Sequence, residues 1–125
     1  MSHPPGTSEP LVVRELPDVA VVQVHANVDA RMAAALRAAL TKAVDRRGNV
    51  VLDLAGAPGI DPTGLGLLVR AHRRARQRGQ AVCVVAPSRY VVTVLHTMRL
   101  DRAFPIFADC PAALQWLRQD HRDDR

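Results

Sequence analysis

Aromatic side chains are scarce in this sequence of 125 residues, where they make up only 3%. The core must therefore consist of Val, Leu, Ile and Ala, which favours packed helices and strands over a ligand pocket lined with rings. The scarcity of rings also argues against binding single-stranded nucleic acid by base stacking. Hydrophobic residues still account for 48% of the chain, so most of it is expected to fold.

Cysteines and long apolar runs are also few. Cys83 and Cys110 are the two cysteines, and with no CxxC motif or histidine cluster beside them they indicate reduced, structural thiols in a cytoplasmic protein without a metal. No segment approaches the ~20 apolar residues that a membrane-spanning helix needs. Residues 1–10 have neither a basic start nor an apolar run, which predicts a flexible arm rather than a signal peptide.

Positive charge outweighs negative charge. The chain has 17 Lys and Arg against 12 Asp and Glu, a net charge of +5, and Lys42 is its single lysine. Five arginines lie within Arg70–Arg78, which raises the question of nucleic acid. No aromatic residue interleaves them, and neither a helix-turn-helix pattern nor zinc-ligand spacing is present. A solvated helix face, or one that meets an acidic partner surface, is the favoured interpretation, and nucleic-acid binding is the less favoured alternative.

Short Val-rich runs alternate with helical apolar stripes, which predicts one α/β domain over residues 11–118 and a polar, frayed tail over 119–125. This order implies a mixed, largely parallel sheet of four or five strands, with about four helices and right-handed crossovers. The predicted elements are a hairpin of Leu11–Val13 and Val19–Val24, a helix capped by Asp29 and ended by Gly48, a strand over 50–54, a helix from Pro62 ended by Gly79, a strand over 81–86, a helix capped by Ser88, a strand over 104–107 and a helix opened by Asp109.

The second helix begins directly after a loop over 55–60 that is rich in Gly and Pro. Asp61 suits its N-cap, where a carboxylate accepts a hydrogen bond from a backbone N–H. Pro62 suits the first helical position, where the missing N–H costs nothing. The expected inner stripe of this helix is Leu65, Leu68, Val69, His72 and Ala75.

Three motifs lie in these elements. They are VVLDLAGAPGIDPTGLGLLVRAHRRARQRG over 50–79, AVCVVAPSRYVVTVLHTMRLDRAFPIF over 81–107, and Asn27-Val28-Asp29. Together, over about residues 10–118, the chain resembles the STAS family of anti-sigma-factor antagonists. The resemblance implies a protein that is not an enzyme, needs no cofactor and exists as a monomer or weak dimer. It would bind an anti-sigma factor, often a serine-protein kinase, and so release a sigma factor for transcription.

The resemblance also implies where a partner binds. The partner-binding residues would be Asn27, Asp29, Asp61, Pro62, Thr63 and Gly64. Asp61 would orient the turn, Pro62 would fix it, and Thr63 and Gly64 would meet the partner, with Gly64 allowing close backbone approach. In such proteins the kinase phosphorylates a serine at the start of the second helix, and a phosphatase reverses this. A phosphate adds roughly −1.5 to −2 charges, which an acidic or apolar partner surface does not tolerate.

The sequence departs from the family pattern at two positions. Pro62 stands where the phosphorylated serine is expected, and proline has no hydroxyl. We favour a protein that is insensitive to its kinase. The alternative is that Thr63 is the phosphoacceptor, although it is turned by about 100° around the helix axis relative to position 62. In the plainest interpretation the Thr63 hydroxyl helps to cap the first helical turn. Arg99 replaces a common Gly after the third helix, where a left-handed backbone would cost about 1 kcal/mol.

Two further interpretations compete with the antagonist. The chain could be a STAS scaffold module in a signalling assembly without direct control of a sigma factor. An enzyme would need a nucleophile beside a base, and no spacing places His72 or His96 near Thr63. Asp53 ends a strand as the phosphoacceptor of receiver domains does, but the acidic pair and the late lysine of receivers are missing.

Overall fold

The computed structural model describes residues 9–119, and its elements follow the predicted alternation. The predicted arm and tail lie almost entirely outside the described residues. The elements are β1 (Leu11–Glu15), β2 (Ala20–Val24), α1 (Ala33–Arg47), β3 (Val50–Asp53), α2 (Pro62–Gln77), β4 (Val82–Val85), α3 (Arg89–Thr97), β5 (Ile106–Phe107) and α4 (Cys110–Arg118).

The strands form one five-stranded sheet in the order β1-β2-β3-β4-β5. β1 and β2 are an antiparallel hairpin, whereas β2, β3, β4 and β5 run parallel to one another. From β2 to β5, each new parallel strand is added on the same side of the strand before it. Because crossovers between parallel strands are right-handed, α1, α2 and α3 all lie on one face of the sheet. α4 contacts β3, β4 and β5 from the other face. The predicted mixed α/β sheet is thereby confirmed.

Side chains alternate between two cores because both faces of the sheet are covered. Leu52 and Val84 belong to the core under α1, α2 and α3, whereas Val51 and Cys83 belong to the core under α4. Both cysteines are free thiols, and burial raises the pKa of the Cys83 thiol to about 12. Cys83 therefore remains a protonated packing residue at neutral pH.

Three local predictions are wrong in detail. α1 begins at Ala33 with Met32 as its N-cap, while Asp29 closes the preceding turn by accepting from the Arg31 N–H at 3.0 Å. β5 contains only Ile106–Phe107, and Phe104 is fully buried in the core instead.

The inner stripe of α2 is also rotated from the predicted one. Leu65, Val69 and His72 lie half-buried at its margins. Small side chains near the centre let α2 lie close to its neighbours, a packing effect that periodicity of large residues does not reveal. The buried residues of α2 are Gly64, Leu67, Leu68, Ala71 and Ala75.

Arg99 adopts the left-handed backbone at the end of α3, with a φ of 59°. Its N–H donates to the carbonyl of His96 at 3.0 Å, and the next N–H, of Leu100, donates to Leu95 at 2.8 Å. Arg99→Gly is expected to raise the free energy of unfolding by about 0.5–1 kcal/mol, because removal of the Cβ strain outweighs the entropy of Gly. Urea unfolding measures this. Arg102→Gly, at an exposed residue without positive φ, is the control and should lose about 0.5–1 kcal/mol.

Candidate functional site

Two loops at the carboxyl ends of the parallel strands β2 and β3 are joined into one surface. The Val28 N–H donates to the carbonyl of Gly59 at 2.9 Å, and the Asp61 N–H donates to the carbonyl of Val28 at 3.0 Å. Val28 and Ile60 form a parallel β-bridge outside the main strands. The structure thus brings residues 27–29 beside the start of α2, which are the two segments that the sequence singled out. Ligand sites in open α/β sheets typically lie at this edge.

The first turn of α2 is capped as predicted. Asp61 is the N-cap, with extended backbone angles of φ −108° and ψ 176°, and Pro62 occupies the first helical position. The Asp61 Oδ1 accepts a hydrogen bond from the Gly64 N–H at 2.8 Å. This bond satisfies one of the backbone donors that a helix start leaves unpaired. The cap therefore fixes the direction in which the residues of the first turn point.

Gly64 has a structural function that differs from the predicted one. It is buried, and a Cβ built on it would lie 2.5 Å from the carbonyl oxygen of Val28 and 3.0 Å from Cγ1 of Ile60. The close backbone approach that Gly64 permits is therefore to the neighbouring loop of its own chain, not to a partner. Gly64 is therefore a buried packing residue, whereas Pro62 and Thr63 of the same turn are exposed.

Thr63 carries the exposed hydroxyl in the first turn of α2. Pro62, Thr63 and Asn27 are exposed, and Asp29 and Asp61 are half-buried. The Thr63 hydroxyl forms no hydrogen bond within residues 9–119, so the expectation that it caps the first turn is wrong, because Asp61 provides that cap. A hydroxyl that is free of internal bonds is available to a partner.

The start of α3 completes this surface, and sequence reasoning did not include it. Ser88 caps α3 by accepting from the Val91 N–H at 3.1 Å, and its hydroxyl donates to the carbonyl of Pro58 at 2.9 Å. Tyr90 follows and is 59% exposed. A Cβ on Gly59 would lie 3.8 Å from the Tyr90 ring and 3.3 Å from Oδ1 of Asn27, so Tyr90 and Asn27 flank Gly59.

We call the exposed residues Asn27, Pro62, Thr63 and Tyr90 the tip surface. Tyrosine is enriched among the residues that dominate binding energy at protein interfaces. The sequence contains a single tyrosine, and it follows the Pro-Ser pair that opens the third helix. This placement was the signal in the sequence that could have identified Tyr90.

The charges around the tip surface disfavour a phosphate or another anion there. The Asp29 and Asp61 carboxylates border it, and each already accepts a backbone N–H. A dianionic group on Thr63 would add charge of the same sign beside them. A neutral hydroxyl there adds no negative charge to that of the two carboxylates, which leaves the surface suited to an apolar or basic partner.

No arrangement for covalent chemistry surrounds the Thr63 hydroxyl among the described residues. His72 follows nine residues later on α2, about 14 Å along the axis, and its ring packs 5.4 Å from the ring of Phe104. Burial, with the nearby charges of Arg76 and Arg73, lowers the pKa of His72, which favours its neutral form. His96 instead pairs with Asp101 at 3.0 Å. In the part of the chain that the structure describes, no three His, Cys, Asp or Glu side chains group as metal ligands.

Among the helices of residues 9–119, none has the length and apolar character needed to cross a membrane.

Fold and site together define an α/β module with a capped helix start, whose exposed hydroxyl has no hydrogen-bond partner in the described part of the chain. The family model of the STAS domain matches residues 10–113, and the chain belongs to this family.

Solved structures with the same fold include anti-sigma factor antagonists. A Mycobacterium paratuberculosis anti-sigma factor antagonist is 26% identical, with a TM-score of 0.73, over 87% of this chain and 93% of that one. A proposed anti-sigma factor antagonist from Thermotoga maritima is 20% identical, with a TM-score of 0.81, over 87% of this chain and 95% of that one. A sulfate transporter family protein from Wolinella succinogenes is 18% identical, with a TM-score of 0.69, over 78% of this chain and 83% of that one.

Proposed function

We propose that this protein is an anti-sigma-factor antagonist whose tip surface binds an anti-sigma factor, a serine-protein kinase, and so releases a sigma factor for transcription. The observation that carries the proposal is the exposed Thr63 hydroxyl, which has no hydrogen-bond partner among residues 9–119 and lies on a helix start held by Asp61 and Gly64. The likeness to antagonists of Mycobacterium paratuberculosis and Thermotoga maritima supports it. The proposal requires a cytoplasmic protein, because transcription takes place there.

The tip surface suits binding without rearrangement. Asp61 and Gly64 fix the first turn of α2 from below, and the Ser88 hydroxyl ties the start of α3 to the carbonyl of Pro58. A surface that is already ordered loses little conformational entropy when a partner binds. Tyr90 would supply apolar contact area, and Asn27 and Thr63 would supply hydrogen bonds at its border.

Recovery of partners tests the proposal directly. Tagged protein is captured from cells of its native organism, and the bound proteins are identified by mass spectrometry. Recovery of a small ATPase-type kinase, followed by release of its sigma factor on addition of the purified protein, is the expected result. A Tyr90→Ala variant should recover less of that kinase, whereas Arg102→Ala, at an exposed position after α3, should recover the same amount. Recovery of scaffold proteins without any anti-sigma factor contradicts the proposal.

Pro62 leads to a second proposal about regulation, namely that binding is constitutive. At the helix position where related antagonists carry their phosphoacceptor, this chain has an exposed residue without a hydroxyl. A kinase that reads this position finds Thr63 displaced by about 1.5 Å along the axis and about 100° around it. Binding would then be controlled by the amount of the protein rather than by its phosphorylation.

Incubation with the recovered kinase and ATP tests this proposal. Mass spectrometry should show no phosphate on the wild-type protein and one phosphate on the Pro62→Ser variant. A Pro62→Ala variant is the matched control, since it removes the ring without adding a hydroxyl, and it should remain unmodified. Phosphate on Thr63 of the wild-type protein would overturn constitutive binding and make Thr63 the switch.

A scaffold function is the second candidate. The observation that favours it is the shared fold of a sulfate transporter family protein, which shows that the fold alone does not define the antagonist class. A scaffold module would bind partners through the same tip surface but leave sigma-dependent transcription unchanged. Reporter transcription in cells with and without the protein separates the two candidates, because only the antagonist raises it.

A further inference from the structure

Gly66 is a glycine inside α2 that no contact within residues 9–119 accounts for. Glycine is, after proline, the least favourable residue in a helix interior, so a glycine there needs a reason such as a positive φ or a close approach. A Cβ built on Gly66 meets nothing within 4 Å, and its φ is not positive. The other five glycines in this range each have such a reason, which is a positive φ or other atoms within 4 Å of a built Cβ; they are Gly48, Gly56, Gly59, Gly64 and Gly79.

Gly66 lies on the outward face of α2, one helical turn after the tip surface. It follows Pro62 by four residues and Thr63 by three, which places it about 40° from the first and about 60° from the second around the helix axis, between the two. Pro62 and Thr63 are exposed, and Gly66 is half-buried. The tip surface therefore continues along α2 to the position of Gly66.

The surface neighbours of Gly66 surround a gap that is mostly apolar. On an α-helix such neighbours lie three and four residues away in each direction, and here they are Pro62, Thr63, Val69 and Arg70. Pro62 and Val69 are apolar. Thr63 has a methyl group, and Arg70 has an aliphatic stem before its guanidinium. With no side chain at the centre, these four residues form a hole of the kind that receives a side chain from a second protein segment.

We propose that an apolar side chain of the anti-sigma factor inserts into this gap and packs on the backbone of Gly66. The inference rests on the proposed function, because it specifies a further contact of the same partner beside the tip surface. An apolar side chain fits better than a polar one, because helical hydrogen bonds already use the backbone groups in the interior of α2. Side chains inserted into well-packed pockets of this kind supply much of the binding energy at protein interfaces.

Two substitutions that fill the gap test the inference. Isothermal titration measures the affinity of the full chain for the purified anti-sigma factor recovered by capture. Gly66→Ala should weaken this binding about fivefold and Gly66→Leu about 30-fold, because the added side chain occupies the space of the incoming one. Both variants should have a Tm about 2–4 °C higher, because Ala and Leu are better helix formers than Gly and the new Cβ meets no other atom within 4 Å. Weaker binding by a more stable protein cannot come from unfolding.

Gln77→Leu is the matched control. Gln77 is exposed, is the last residue of α2 and lies 11 residues after Gly66, which is about 16 Å along the axis and about 20° around it. Leu at this position adds apolar bulk to the same outward face but away from the gap. The affinity of this variant should stay within twofold of the wild-type value.

Three outcomes would overturn the inference. Wild-type affinity in Gly66→Leu would show that nothing enters the gap. Equal weakening by Gln77→Leu would show that apolar bulk anywhere on this face impairs binding. A lower Tm for Gly66→Ala would show that the fold itself requires the glycine. All three are measured against a wild-type protein that binds, so they leave the proposed function intact. If the wild-type protein bound no anti-sigma factor, the proposed function would fail, and this inference with it.

Discussion

Gly64→Ala is expected to lower the free energy of unfolding by about 2 kcal/mol and the Tm by roughly 8 °C. The added Cβ would lie 2.5 Å from the carbonyl oxygen and 2.6 Å from Cγ1 of Val28, closer than real contacts allow. The helix start must then move away from the loop, which also loosens the Asp61 cap, worth about 1 kcal/mol. These costs exceed the roughly 0.5–1 kcal/mol that Ala gains over Gly inside a helix.

Gly66→Ala is the matched control for this prediction. Gly66 lies two residues further along α2, and a Cβ built there meets nothing within 4 Å. The same substitution should therefore stabilise the protein by about 0.5–1 kcal/mol, opposite in sign to Gly64→Ala. Urea unfolding of both variants gives the comparison. Equal effects of the two substitutions would show that α2 does not pack against Val28 as closely as the structure indicates.

Local interactions of the site could be predicted from the sequence, whereas contacts between distant residues could not. The Asp61 cap was predicted because it is a local interaction, in which a carboxylate accepts from an N–H three residues later. The contact of Gly64 with Val28 spans 36 residues and depends on the parallel pairing of two loops. A single sequence does not show which distant residue will lie over a glycine. It shows only that a close approach is permitted.

Helices and strands were predicted where local chemistry and apolar spacing agreed. The segment after Ser88 has strand-forming residues, but the Ser88 cap and the burial of Val91 and Leu95 make it a helix, as predicted. Asp29 was wrong as a helix cap because the turn before α1 uses it instead. Tyr90 was missed because its place beside Asn27 depends on the hydrogen bond from Ser88 to Pro58, a tertiary contact between two loops.

Thr63→Glu is expected to reduce the affinity for the anti-sigma factor that we propose as the partner by about 100-fold, which is the largest change in binding expected at the tip surface. The new carboxylate would enter the interface beside Asp29 and Asp61, and an uncompensated charge buried there costs on the order of 3 kcal/mol. The fold should be unaffected, since Thr63 is exposed and an acidic side chain in the first helical turn is stabilising by about 0.3–1 kcal/mol. Isothermal titration with the recovered anti-sigma factor measures the affinity, and thermal unfolding measures the stability.

Two neutral variants separate charge from size and shape. Thr63→Gln has nearly the volume of Glu without its charge, and it should weaken binding less than about tenfold, because the amide can still form hydrogen bonds. Thr63→Val keeps the shape but removes the hydroxyl, and it should cost about 0.5–1.5 kcal/mol, the usual worth of one hydrogen bond. If Gln were as damaging as Glu, the tip surface would exclude bulk rather than charge, and phosphorylation would not be a suitable way to block it. If Glu bound like the wild-type residue, the partner would dock elsewhere. Gly64→Ala thus acts by destabilising the fold, whereas Thr63→Glu acts through charge at the interface without destabilising the fold.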